Sequence, residues 1–497
     1  MKALLSLLLI PMLICLLSSA HADAQSAVHP LSLQQAIDIA KQQSADALNA
    51  KQLFRSSFWE YRTFRATYLP GLSIDGTIPE IQSAFQKYVY PDGTVSYVHQ
   101  QNTTYTANAY LSQKIGITGG SVFLRSGLQR LDNHTDSTVI SYLSTPINIG
   151  YTQPLFQYNP YRWDRKIQPL KFDQAKKRYL EDIEQLSMTT TNYFFGLLQS
   201  QVDKKIAMTN LKNYDTLYHI AKGRYQLGKI AENDLLQLEL NYLKAQAAVD
   251  NASLAVDNAL FRLKSYLRIK DTISIVLVPP SDISFFKIDP LTAVHQANVN
   301  TSTALDFQRR LFEAARDVNR AKTEGRFDAN LTAVFGLTQS GPTVPDAYYK
   351  PLDQQQVGLQ FTVPIVDWGV ARGKIKMAQS QQEIVKNSVE QELVDFQRNI
   401  YLRVVQFNMQ ERQLMIAAKS DTVASKSYDV TKGRYLIGKI NSILDLYNAQ
   451  IETDNAQKNY YNALETYWRS YYEIRKLTLF DFRKNELLQF NLKDIKL

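Results

Sequence analysis

The chain has a single cysteine in 497 residues, and that one, Cys15, sits inside the first apolar run. Past it there is no thiol for a disulfide, a soft-metal site or a nucleophile. No later apolar run reaches eighteen residues, which argues against a membrane-spanning helix beyond the first segment. The most apolar later stretch, Ile273 to Val278, stops at Pro279-Pro280. Like charges form no block of five or six, so the formal net charge of +9 reads as a mixed, solvated surface and not as a nucleic-acid footprint. His21, His29, His99, His134, His219 and His295 show no ligand spacing, and there is neither a G-x-S-x-G elbow nor a phosphate loop. No catalytic residue, metal site or cofactor is therefore expected, and the chain does not read as an enzyme.

What is present begins with a leader. Lys2, the apolar run Leu4 to Leu17 and the small residues ending in Ala20-His21-Ala22 predict a removed signal peptide over 1–22, with a second cleavage point after Ala24. A lipid on Cys15 is disfavoured by Ile14, where a small residue is needed. An exported chain without a spanning helix can cross a bilayer only as a β-barrel, which satisfies every backbone group there. The 29 tyrosines and 22 phenylalanines suit packing between long helices and aromatic girdles at membrane interfaces.

An internal repeat organises the rest. Lys222-Gly223-Arg224-Tyr225-Gln226-Leu227-Gly228-Lys229-Ile230 returns as Lys432-Gly433-Arg434-Tyr435-Leu436-Ile437-Gly438-Lys439-Ile440, with only two differences. At the same offset Tyr218 pairs with Tyr428, and Pro154-Leu155-Phe156 with Pro364-Ile365-Val366. One residue further on, Asp234-Leu235 pairs with Asp445-Leu446. Ala36, Ile37 and Ala40 recur as Ala293, Val294 and Ala297. Two structural repeats follow, 23–280 and 281–497, joined at Pro279-Pro280-Ser281-Asp282.

Each repeat runs through the same order of periods. Ser32 with Gln35 forms a capping box and Asp289-Pro290 a cap followed by proline, so each repeat opens with a helix, ending near Leu69-Pro70 and Phe327-Asp328. Alternation then predicts strands over 71–154 and 329–364, with Leu72, Ile74 and Ile78 opposed to Ser73, Asp75 and Thr77, and Leu331, Ala333 and Phe335 opposed to Thr332 and Gly336. Extra β material in the first repeat, about 80–145, either lengthens the main strands or forms a separate hairpin. Long helical hairpins are predicted over 160–268 and 370–478. Val385, Val389, Leu393, Phe396, Ile400 and Val404 make one continuous helix stripe, and the helix from about Asp164 to Leu227 would be near 90 Å long. Gly228 and Gly438 end the outgoing helices, and Asn233 or Asp234, and Asn441 or Ser442, can cap the returning ones.

Strands with one apolar face cannot close alone, and an open edge in lipid costs several kcal/mol per unpaired group. Copies of the chain must then close the wall; about four strands in each of three chains would give about twelve. The fold class is thus mainly α with a β section: antiparallel helical hairpins forming an α-helical barrel, continued by a shared transmembrane β-barrel.

The paired Gly-Arg-Tyr-x-x-Gly-Lys-Ile turns, the Leu31-Ser32-Leu33-Gln34-Gln35-Ala36 opening and the Pro364-Ile365-Val366-Asp367-Trp368-Gly369 strand exit together resemble the TolC-type outer membrane efflux protein family. The resemblance covers nearly all of the chain beyond the leader. It implies a homotrimer in outer-membrane lipid of a Gram-negative bacterium, extending into the periplasm. Such a channel serves a tripartite efflux or type I secretion system, docking a periplasmic adaptor that links it to an inner-membrane transporter. The docking turns would be Arg224, Tyr225, Gly228, Lys229 and Ile230, with Arg434, Tyr435, Gly438, Lys439 and Ile440. A periplasmic carboxylate gate would fall on Asp445, with Asp234 its counterpart and Asn448 standing where the family has a second acid. A periplasmic coiled-coil adaptor or scaffold would explain the helices but not the paired strand sets; a surface adhesin would explain the strands but not the helices.

Overall fold

A computed structural model describes residues 29–134, 137–270, 275–281, 283–437, 439, 443–492 and 495. The expected leader 1–22 with Cys15, and Asp282, Gly438, Ile440, Asn441 and Ser442, lie outside the described residues. The chain divides into two units: residues 1–52, 178–300 and 397–494, and residues 53–177, 301–396 and 495–497.

The opening helices expected before Pro70 and before Asp328 are each two helices and not one. The capping box at Ser32 starts α1 (Leu33–Gln43), which stops at Ser44 before α2 (Ala45–Ala66). Later in the chain α5 (Pro290–Asn300) stops before Thr301, whose hydroxyl caps α6 (Ser302–Glu324). Ser44 and Thr301 both offer a side-chain oxygen to a free amide three residues on, which lets the backbone break without losing a donor.

The sheet lies in the second unit. Its strands are β2 (Gly71–Val89), β3 (Val95–Lys114), β4 (Ser121–His134), β5 (Thr138–Leu155), β7 (Asp328–Gly341) and β8 (Leu352–Thr362). All six are antiparallel in the order β2-β3-β4-β5-β7-β8, with the short helix α7 (Val344–Tyr348) between β7 and β8. Among the described residues this sheet has six strands where four were expected, because the extra β material at about 80–145 is neither lengthening alone nor a detached hairpin. The tight turn at 115–120, closed by Ile115 N–H donating to Gly120 O at 2.8 Å, returns the chain into the same sheet.

The register separates two faces. Leu72, Leu111, Leu124, Ile149 and Phe335 are successive cross-strand partners on one face. Ser73, Tyr110, Arg125, Asn148, Gly336 and Gln354 are the corresponding row on the other. The apolar row is open to its surroundings, Ile74 beside it being 81% exposed. No helix among the described residues is long and apolar enough to cross a membrane.

The long helices have matching lengths: α3 (Pro160–Gln226) and α8 (Val370–Leu436) are 67 residues each, α4 (Glu232–Leu267) and α9 (Ile443–Thr478) 36 each. At ~1.5 Å per residue the first two extend about 100 Å. α3 runs unbroken, as expected, although Pro169 is its tenth residue. Proline there removes one backbone bond and costs about 3 kcal/mol. Packing around it offsets that: Ile167 is buried, and Phe172 stacks on Tyr61 at 4.7 Å. The stripe on α8 points inward as its period requires, with Val389, Ile400 and Val404 buried.

In the first unit β1 (His29–Ser32) pairs in parallel with β6 (Ile275–Val278), and the short strands β9 (Phe480–Asp481) and β10 (Glu486–Leu487) follow α9. Arg475 there donates to Glu184 at 2.9 Å and to Asp481 at 3.2 Å, with Tyr471 also donating to Asp481 at 2.9 Å. Burial pushes the Glu184 carboxyl up despite the guanidinium beside it.

Candidate functional site: the helical turns

Both helix-to-helix turns belong to the first unit. The first is a Schellman closure: Gly228 sits at φ 64°, its N–H donates to Tyr225 O at 2.8 Å, and Lys229 N–H donates to Arg224 O at 2.9 Å. A side chain at Gly228 would meet no neighbour but would be held in the left-handed region that disfavours it. In the second turn Lys439 N–H makes the equivalent bond to Arg434 O at 3.0 Å. Asn233 and Asp234 do not cap α4. Its cap position is Ala231, which has no side-chain acceptor, and Asp234 lies in the first turn, where the helix dipole favours a carboxylate.

The turns are tied to each other. Arg224 reaches across from α3 and donates to Leu436 O at 3.0 Å and Tyr435 O at 3.4 Å, its guanidinium 5.4 Å from the Tyr435 ring centre. It therefore caps the last carbonyls of α8, a cation at a helix C-terminus, and so serves the other hairpin and not its own. Beneath it Leu217, Ala221, Leu238, Tyr428, Tyr435, Leu446 and Ala449 form an apolar cluster, with Ile230 and Ile443 packed against it. Burial raises the Tyr435 phenol, with Asp234 adding to the rise and Arg224 opposing it, so the ring stays neutral and hydrogen-bonding.

Further along the helices Lys432 donates to Asn213 at 2.7 Å, and Asn210 and Gln450 both donate to Asp454, at 2.7 and 2.9 Å. Burial lifts the Asp454 carboxyl above its ordinary range against those two donors.

The expected site residues fall into two sets. Arg224, Ile230 and Tyr435 are at least half buried and join the hairpins, whereas Tyr225, Gly228, Lys229, Arg434 and Lys439 are exposed on the turns. Gly438 and Ile440 lie outside the described residues. Asp445 and Asn448 are exposed, three residues apart on one face of α9, while Asp234 is half-buried in the other hairpin. Sequence reading missed Lys432–Asn213 and Asn210–Asp454, which have no local signature. Asp367-Trp368-Gly369 is a corner and not a reactive site: Asp367 accepts from Gly369 N–H and Ala371 N–H, and those bonds, the one from Ala371 foremost, hold its carboxyl below the usual range. Trp368 beside it is 95% exposed.

The profile of the family described as outer membrane efflux protein matches residues 121–267 and 302–478, well over half of the chain. No curated relative matches the sequence. Among solved structures the fold is similar to the CmeC outer membrane channel of Campylobacter jejuni (17% identity, 93% of this chain and 89% of that one, TM-score 0.65). It is similar also to the outer membrane protein VceC of Vibrio cholerae (12%, 92% and 97%, TM-score 0.63). The open-state MtrE outer membrane channel of Neisseria gonorrhoeae is a third (13%, 92% and 90%, TM-score 0.60). With the two-faced sheet and the paired helical turns beside that match, the chain belongs to the outer membrane efflux protein family, whose members are channels and not enzymes.

Proposed function

We propose that the chain is the outer-membrane conduit of a tripartite efflux or type I secretion system, a passive homotrimeric tube that also extends through the periplasm. The observation that carries this is the sheet: one face carries a largely exposed apolar row, the other is polar, and β2 and β8 have no further partner strand among the described residues. Such a sheet suits lipid on one side and water on the other, and its edges need a partner strand. The corner past the strands supports the same placement, since Ile365 is 90% exposed and Trp368 lies beside it, as in an aromatic girdle at a membrane boundary.

In this reading the turns face away from the outer membrane. Exposed Tyr225, Lys229, Arg434 and Lys439 form the surface that a periplasmic adaptor grips, and the adaptor connects the tube to an inner-membrane transporter. Asp445 lines the constriction and Asn448 supplies a neutral second position, so the closed tip carries fewer acids than a double carboxylate ring. Arg224 and the apolar cluster hold that tip shut until docking displaces them.

Tyr225→Ala combined with Lys229→Glu tests the docking surface, because neither position needs the unusual backbone of Gly228. Export should fail while the melting temperature and outer-membrane level stay unchanged. Full export activity in that variant would remove the first turn from the docking surface.

A further inference from the structure

The sheet contains two strands more than the four that were expected from each chain. The family profile begins at residue 121, so β4, β5, β7 and β8 lie within the matched segments, while β2 and β3 lie before them. A hairpin in that position has two possible fates. It can stand in the wall of the barrel, or fold away from it as a cover or a surface projection.

We propose that β2 and β3 are wall strands, so that three copies close an eighteen-strand barrel in which β8 of one copy pairs with β2 of the next. This rests on the reading of the chain as a shared barrel and adds to it the strand count and the identity of the seam. Three observations carry it.

The first is register. β2 pairs with β3 from Gly71–Ser112 to Val89–Val95, and β3 pairs with β4 from Asn102–Asn133 to Lys114–Ser121, so the hairpin is bonded into the sheet along the length of β4 and is not hinged away from it. The second is face. Leu72 and Ile74 on β2, and Leu111 on β3, continue the apolar row of the other strands, and Ser73, Asp75 and Asn108 continue the polar one. On that polar face the side chains bond across the hairpin's junction with the matched strands: Arg125 on β4 donates to Asn108 at 3.0 Å, and Asn108 donates to Asp75 at 3.1 Å. Asn148 likewise donates to Gln354 at 2.9 Å, passing over Gly336, where a Cβ would lie 2.0 Å from its Oδ1. A cover or projection would have no use for an exposed apolar face; Leu72 is 72% exposed.

The third is direction. Gly71 opens β2 and Thr362 closes β8 at the same end of the sheet, so the two edge strands run antiparallel. Joining β8 to β2 of another copy therefore continues the alternation without a fault, and brings the apolar Val357, Leu359 and Phe361 next to Leu72 and Ile74. An inserted pair of strands is the smallest addition that preserves this. Eighteen is even and within the range that such barrels adopt, and the diameter grows roughly in proportion to strand number.

The test is electron cryo-microscopy of the full chain in detergent, with cysteine cross-linking at the seam. The sole native cysteine, Cys15, is replaced by serine. Ser73→Cys on β2 and Ser121→Cys on β4 are each combined with Gln356→Cys or Gln360→Cys on β8. All four positions lie on the polar face, and the two β8 sites allow for register. A threefold map with eighteen strands, and covalent trimers from the Ser73 pairs alone, are expected. A threefold map with twelve strands, with covalent trimers from the Ser121 pairs, would overturn the strand assignment and leave the channel reading standing. Particles without any closed barrel, and no covalent trimers from either set, would overturn both.

Discussion

On the proposed reading, replacing Arg224 by Ala should loosen the closed tip without disturbing the barrel. The side chain donates to Leu436 O at 3.0 Å and, more weakly, to Tyr435 O at 3.4 Å, and lies 5.4 Å from the Tyr435 ring centre. A hydrogen bond from a charged donor contributes about 1.5–3 kcal/mol, and a cation over an exposed ring adds about 0.5–1 kcal/mol. Arg224 is partly exposed, so water replaces part of both. A net loss of about 1–2 kcal/mol remains, which raises the ratio of loosened to seated tips by about 5–30-fold. Purified protein in planar bilayers should show a higher open probability, and cells should become sensitive to large antibiotics that the intact tip excludes. Arg224→Lys keeps the charge but loses the planar fork, and should fall between. Arg434→Ala is the control, since that side chain is exposed on the second turn and should leave gating unchanged. Equal conductance in wild type, Arg224→Ala and Arg434→Ala would refute the clasp.

Two further outcomes follow from buried charge. Arg475→Met leaves Glu184 and Asp481, 3% and 1% exposed, without their cation, and should lower stability by about 3–5 kcal/mol, read as a fall in melting temperature. Acidification should recover part of that loss, because protonating either carboxyl removes the unpaired charge; a melting temperature within error of wild type would show the ion pair to be dispensable. Asp454 has a folded-state carboxyl raised by burial, so the folded chain holds that proton more tightly than the unfolded one. Its contribution to stability is therefore largest at low pH and is lost as pH rises from the ordinary 3.8 through the raised value. Asp454→Asn keeps the bonds from Asn210 and Gln450 with an amide flip, and its stability advantage should widen over that window; an advantage that shrank with rising pH would reverse the assignment.

Much of the fold was legible because it repeats at short range. Alternation in Leu72 and Ile74 and the three-and-four steps of Val385 to Val404 are local patterns that survive as a strand face and a helix stripe, while Ile78 falls at the register shift between Thr77 and Glu80. The first glycine turn was legible for the same reason, since Gly228 stands where a left-handed residue is required. The breaks at Ser44 and Thr301 were not, because both residues are ordinary within a helical period until their hydroxyls are seen to cap. Pro169 has no local signature of tolerance within a helical stretch; the burial of Ile167 and the stacking of Phe172 on Tyr61 lie around it. The count of strands was misjudged because alternation identifies a strand but not its sheet; the turn at 115–120 decides that. The clasp of Arg224 on Leu436, the Asn210–Asp454 bond and the Arg475–Glu184 pair join residues more than two hundred positions apart, and no local pattern announces them.

The most direct measurement is the location and mass of the protein from cells, by membrane fractionation followed by light scattering with the detergent contribution subtracted. The account predicts an outer-membrane particle whose protein mass is three times that of one chain. A soluble periplasmic monomer would contradict it and favour an adaptor or scaffold instead.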